Sequence, residues 1–161
     1  MIAAPGFQSP NMMILPRILA ILATAVVTLT ALPGAFAQAD PLASAAAEPG
    51  AVVTASGLVF RSMKDGQGPA PAATDVVKVH YRGTFPDGRE FDSSYKRNQP
   101  ASFPLNRVIK CWTEGLQRMQ VGGTAKLTCP AAIAYGERGS PGAIPPGAVL
   151  RFEVELLGIN P

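Results

Sequence analysis

From Leu150 to Leu156 the chain alternates with a period of two: Leu150, Phe152, Val154 and Leu156 are apolar, while Arg151, Glu153 and Glu155 are charged. That pattern predicts a long strand buried on one face only. It recurs in Val77, Val79 and Tyr81 against Lys78, His80 and Arg82, and in Ala125, Leu127 and Cys129 against Thr124, Lys126 and Thr128. Leu58-Val59-Phe60 starts an earlier strand that stops at the turn formers Asp65-Gly66-Gln67-Gly68-Pro69. Pro86-Asp87-Gly88 reads as a turn, with Glu90-Phe91-Asp92 returning as a partner strand. A single helix is predicted, from Val108 to Met119, because Val108, Trp112, Leu116 and Met119 share one helical face. Gly122-Gly123 is expected to end it. Parallel strands need crossover helices, and one helix cannot serve several strands. The fold class expected is therefore α+β, a curved antiparallel β-sheet wrapped around one short α-helix.

The amino-terminal third reads differently. Arg17 precedes an apolar run from Ile18 to Leu32, shorter than the ~20 residues that span a bilayer, and Ala35-Phe36-Ala37 has the small-x-small form of a cleavage site. Residues 1–37 are read as a signal peptide cut after Ala37, with an uncleaved membrane anchor as the alternative. Met12 or Met13 is an alternative start, since the segment before Arg17 carries no positive charge. The expected location is periplasmic or secreted. Residues 38–52, rich in Ala and Pro, are read as a flexible linker, and residues 53–161 as the folded domain. The chain has 14 Lys plus Arg and 11 Asp plus Glu. Loss of residues 1–37 removes only Arg17, which leaves a small positive excess and no case for a nucleic-acid partner. Cys111 and Cys129 are the only cysteines. In an oxidising compartment they can pair, closing a loop worth ~3 kcal/mol, or they can pack as two buried thiols. The sequence leaves both readings open.

Taken singly, Phe91, Trp112 and Phe152 read as core residues. Asp92 either caps the turn at Ser93-Ser94 or serves a site. Tyr135 differs, because Ala134-Tyr135-Gly136 lies in a loop with no strand or helix to bury it. His80 is the only histidine and sits on the polar face of its strand, so neither a histidine metal site nor a Ser-His-Asp arrangement through Ser93 or Ser94 finds a supporting motif.

In order and spacing, Val79-His80-Tyr81-Arg82-Gly83, Asp87-Gly88, Phe91-Asp92-Ser93-Ser94, Val108-Ile109-Lys110-Cys111-Trp112-Thr113-Glu114-Gly115, Ala134-Tyr135-Gly136 and Ile144-Pro145-Pro146-Gly147 resemble the FKBP-type peptidyl-prolyl cis-trans isomerases. The resemblance covers the carboxy-terminal two thirds of the chain. It implies an enzyme that rotates X-Pro bonds of unfolded or partly folded exported proteins without cofactor or metal. It also implies a pocket of Tyr81, Phe91, Val108, Ile109, Trp112, Tyr135 and Phe152, with Trp112 as the floor. Catalytic roles would fall to Asp92, Tyr135 and Phe91. Substrate contacts would come from Tyr81, Arg97, Val108, Ile109, Trp112, Ile144 and Phe152, with Asp92 tied to Tyr81 and Arg97. Macrolide inhibitors are expected ligands of the same pocket. At its rim the chain departs from the best-known single-domain members: the stretch between Leu105 and Val108 is shorter, Ala101 stands for a Phe, and Ser140 and Ala143 stand for a His and an Ile. Those positions shape macrolide contact and substrate flanks more than the floor. No long amphipathic helix precedes the domain, so a monomer is expected. A proline-binding chaperone module that lacks turnover is the alternative function.

Overall fold

The computed structural model describes residues 39–160; the signal-peptide reading, and the cleavage site with it, lies outside them. Strands β1 (Ala51–Val53), β2 (Val59–Lys64), β3 (Val76–Thr84), β4 (Glu90–Ser93), β5 (Ala101–Pro104), β6 (Thr124–Cys129) and β7 (Leu150–Ile159) form one sheet. Its order is β1-β2-β6-β7-β3-β4, with β5 also on β3, and every pairing is antiparallel. Strand β3 divides its outer edge: Val76–Val79 pairs with β5 and Arg82–Thr84 pairs with β4. The alternation read in the sequence is the observed burial, with Leu150, Phe152, Val154 and Leu156 buried on the inner face.

Helix α2 (Lys110–Leu116) covers that inner face with Cys111, Trp112, Gly115 and Leu116 buried. A Cβ on Gly115 would lie 2.8 Å from two Leu127 methyl carbons, so glycine there sets how closely helix and sheet approach. The helix is shorter than Val108 to Met119. Val108 is extended, at φ −105° and ψ 175°. At the other end Arg118 and Met119 donate to Gly115 and Leu116, three residues back, which tightens the last turn. Gly122 does not cap the helix; at φ 90° it turns the chain into β6, and its N–H donates to the Leu156 carbonyl at 2.8 Å.

Cys111 and Cys129 are bonded to each other, their Cα atoms 5.9 Å apart, and the bond ties the first turn of α2 to the end of β6. Both cysteines are fully buried.

The linker expected over residues 38–52 is instead largely folded. Helix α1 (Pro41–Ala46) starts with Pro at its first position, and the Asp40 side chain accepts from the Leu42 N–H at 2.9 Å. Six residues are too few to hold a helix alone in water. Tertiary contact holds this one: Ala45 is buried, α1 touches β1, β2 and β6, and Glu48 pairs with Arg61 at 2.6 Å and Lys126 at 3.1 Å. The alanines that suggested a tether are small enough to let the backbone lie against the sheet. Strand β1 then pairs Ala51–Val53 with Val59–Arg61, so the paired structure begins before residue 53.

Candidate active site

Tyr81, Phe91, Asp92, Phe103, Arg107, Val108, Ile109, Trp112, Tyr135 and Phe152 line a cavity of about 350 Å³. Inner-face strand positions supply Tyr81 from β3 and Phe152 from β7, while α2 supplies Trp112 as the floor. The rings of Tyr81, Phe103 and Phe152 meet the indole at centroid distances of 5.1, 5.6 and 5.4 Å, each near perpendicular. Such edge-to-face contacts fix the rings beyond what area alone would do. Phe91 stands at 90° to Phe152, 5.6 Å away, and closes the wall.

Strand β4 delivers two consecutive residues, Phe91 and Asp92, to this one cavity, which a regular strand cannot do. The register explains it: Gly83 pairs with Asp92 but Thr84 pairs with Glu90, so Phe91 is the extra residue of a bulge. Opposite it a Cβ on Gly83 would fall 2.6 Å from Phe91 Cζ and 3.1 Å from Phe152 Cε1. Glycine leaves the room in which both rings sit. Gly83→Ala is expected to destabilise by about 1–3 kcal/mol while displacing the Phe91 ring; urea unfolding together with aromatic methine NMR shifts would show both, and unchanged ring shifts would refute the packing.

One charged network backs the wall. Tyr81 Oη donates to Asp92 Oδ2, Arg97 Nη1 donates to Asp92 Oδ1, and Arg97 Nη2 donates to Tyr81 Oη at 2.9 Å. Burial pushes the Asp92 carboxyl up, but the Tyr81 hydroxyl and Arg97 guanidinium outweigh it and hold the group below its ordinary value. For Tyr81 the direction is opposite: burial, then the bond to Asp92, raises the phenol. A carboxyl depressed in the folded state stabilises it above the ordinary pKa of 3.8 and loses that contribution as pH falls through the depressed value. The stability gap between wild type and Asp92→Asn should therefore be constant near neutrality and shrink below pH 3.8; a gap that stays constant on acidification would contradict the network's role. The pair is partly exposed, so the effect is small.

Donors at the cavity without a protein acceptor among the described residues include the Ile109 N–H, at the residue that precedes α2, and the Tyr135 hydroxyl. Tyr135, 40% exposed, opens the short 3-10 turn Gly136–Arg138. Its loop is held by Gly139 donating to the Tyr135 carbonyl at 3.1 Å and Gly147 donating to the Gly136 carbonyl at 3.0 Å.

Residues 68–157 match the family described as FKBP-type peptidyl-prolyl cis-trans isomerase. The chain belongs to that family. The FKBP-type isomerase FkpA of Aeromonas hydrophila is 54% identical over 119 residues, which is 74% of this chain and 44% of that protein. The FKBP-type 22 kDa isomerase of Escherichia coli is 54% identical over 106 residues, 66% of this chain and 52% of that one. Among solved structures, FkpA from Escherichia coli superposes with a TM-score of 0.72 at 46% identity, covering 74% of this chain and 56% of the other. A Pseudomonas syringae peptidyl-prolyl isomerase gives 0.70 at 38% identity, covering 75% and 89%. The chain spans about half the length of the curated relatives it matches.

Within this FKBP domain the structure brings eight of the residues named from sequence to one cavity: Tyr81, Phe91, Asp92, Val108, Ile109, Trp112, Tyr135 and Phe152. Arg97 stands behind that wall, on Asp92 and Tyr81. Ile144 does not join them. It is buried against the core and closes the hairpin Ser140–Ile144 through two backbone hydrogen bonds, so it stands outside the lining of this cavity as an anchor of the loop. Phe103 and Arg107 were not foreseen. Phe103 carried a signal, since it sits two residues from Ala101 on what proves to be β5; Arg107 carried none, because only the turn Leu105–Arg107 aims it at the cavity.

His80 Nδ1 lies 2.9 Å from Ser94 Oγ, which brings the base within the reach that a serine hydrolase needs. Ser94 is nevertheless fully buried, and its Oγ also accepts from the Tyr81 N–H at 2.8 Å and donates to the Tyr81 carbonyl at 3.2 Å. That hydroxyl locks the chain after β4 onto β3, and His80 stacks on Tyr95 at 4.6 Å.

Proposed function

We propose that this chain catalyses cis-trans rotation about X-Pro bonds in unfolded or partly folded exported proteins. The observation that carries the reading is the aromatic cavity floored by Trp112, at which the Ile109 N–H and Tyr135 Oη stand as unspent donors. Rotation of a peptide bond faces a barrier of ~18–20 kcal/mol because amide resonance is lost on twisting. For X-Pro the process takes tens to hundreds of seconds. Water favours the planar amide, whose carbonyl carries more negative charge than the twisted form. A site that strips water from the bond and grips the flanking carbonyls through fixed donors binds the twisted form better than the planar one. Proline suits the site because its ring is apolar and its nitrogen has no proton to strand. Neither a nucleophile nor a proton transfer is required, and Asp92, held as a carboxylate by Tyr81 and Arg97, contributes a fixed negative wall.

An oxidising location fits the buried Cys111–Cys129 bond. Among the described residues no helix is long and apolar enough to cross a membrane. The test is the cis-to-trans rate of an X-Pro tetrapeptide with and without the purified protein. Acceleration that falls on replacing Phe91 and Asp92 by alanine supports the isomerase. Binding of proline peptides without acceleration would leave a chaperone module, and neither binding nor acceleration would remove the assignment.

A further inference from the structure

The cavity has two charged side chains among its lining residues, Asp92 and Arg107. Asp92 is committed on both oxygens, to Tyr81 and to Arg97. Arg107 is committed to nothing: among the described residues it makes no ion pair and no side-chain hydrogen bond, and it is exposed. Its backbone is nevertheless fixed. The turn Leu105–Arg107 is pinned by fully buried Leu105, by the Leu105 N–H donating to the Asp75 carbonyl at 2.9 Å, and by Thr113 Oγ1 donating to the Leu105 carbonyl at 2.6 Å. The site thus carries an uncompensated cation on an anchored stem, two residues from the Ile109 N–H.

The charged neighbours do not cancel it. On the same segment Lys110, the first residue of α2, adds a second positive charge. Across the cavity the turn after Tyr135 bears Glu137 and Arg138, one charge of each sign, and the Glu137 carboxylate lies toward Gly147. A peptide with its proline over Trp112 and a carbonyl on the Ile109 N–H passes within side-chain reach of Arg107. The field it meets there is positive.

We propose that Arg107 is a specificity-determining residue, which favours substrates with a carboxylate side chain next to the proline and disfavours those with an ammonium there. This rests on the isomerase reading. The mechanism is an ion pair formed at the rim of the site, where two flexible side chains remain partly solvated, so the discrimination is modest and weakens with salt.

The test uses the full chain and two sets of tetrapeptides blocked at both ends without charge. One set carries Leu, Glu or Lys before proline, and the other carries the same residues after it. The ratio of kcat/KM for the Glu and Lys peptides is read in wild type, Arg107→Gln and Arg107→Glu. In at least one set the wild-type ratio should exceed one by about two- to fivefold, approach one in Arg107→Gln, fall below one in Arg107→Glu, and shrink in high salt. Equal ratios in all three proteins, with the Leu peptide still accelerated, would overturn the role of Arg107 while leaving the isomerase intact. No acceleration of the Leu peptide by wild type would overturn the isomerase reading and this inference with it.

Discussion

Trp112→Ala is expected to lower stability by about 3–5 kcal/mol and to abolish the proposed isomerase activity together with proline-peptide binding. The residue is 4% exposed and touches the rings of Tyr81, Phe103 and Phe152, so truncation opens a large void where three walls meet. The surrounding β3, β5 and β7 cannot collapse inward without breaking their ladders. A second variant separates shape from polarity. The Trp112 Nε1–H is buried without an acceptor among the described residues, so Trp112→Phe forfeits no hydrogen bond and should retain most of the stability that Ala loses. Urea midpoints of the two variants beside wild type decide the matter. An alanine variant that melts like wild type would mean that the indole is not the floor of a packed cavity.

Breaking the Cys111–Cys129 bond is the second large effect. Reduction, or the double replacement Cys111→Ala and Cys129→Ala, is expected to cost about 2–4 kcal/mol. The bond closes a segment with a sequence separation of 18, which in the chain-entropy model frees the unfolded chain when it is broken, and both sulfurs lie in the core, so the alanine pair also loses packing. Cys111 immediately precedes Trp112, which makes the cavity floor the nearest part of the site to be loosened. Denaturant unfolding with and without reductant checks this. The wild-type midpoint should fall on reduction and the double variant should ignore the reductant; a wild-type midpoint indifferent to full reduction would show that the bond does not contribute.

Much of the architecture was legible because burial on one face of a strand leaves a period of two in the chain. Leu150 to Leu156, Val77 to Tyr81 and Ala125 to Cys129 each declared which side faces the core, and the lack of crossover helices declared the pairing antiparallel. Local composition was a poorer guide where contact with distant residues decides. Residues 41–46 look like tether because alanine buries little area, yet Glu48 finds Arg61 and Lys126 across the sheet and holds them. The helix is shorter than its apolar stripe because Val108 is extended where it lines the cavity and the chain after Leu116 tightens into bonds three residues back.

The same division runs through the site. The resemblance to the FKBP family named Tyr81, Phe91, Asp92, Ile109, Trp112, Tyr135 and Phe152, whereas Phe91, Trp112 and Phe152 read one by one are only core residues. Sequence could not show the bulge that turns Phe91 and Asp92 to one side, because it depends on the register between β3 and β4. Nor could it choose between bonded and separate cysteines, which hangs on a Cα separation of 5.9 Å set by how α2 lies on β6. The placing of Ile144 and Arg107 depends on space in the same way. The first was expected at the pocket and is drawn into the core by its hairpin, while the second is carried to the rim by the turn Leu105–Arg107. Hydrophobic periodicity is a property of neighbours along the chain and is written in the sequence. Register, bulges and the aim of a loop are properties of neighbours in space, and only the tertiary structure decides them.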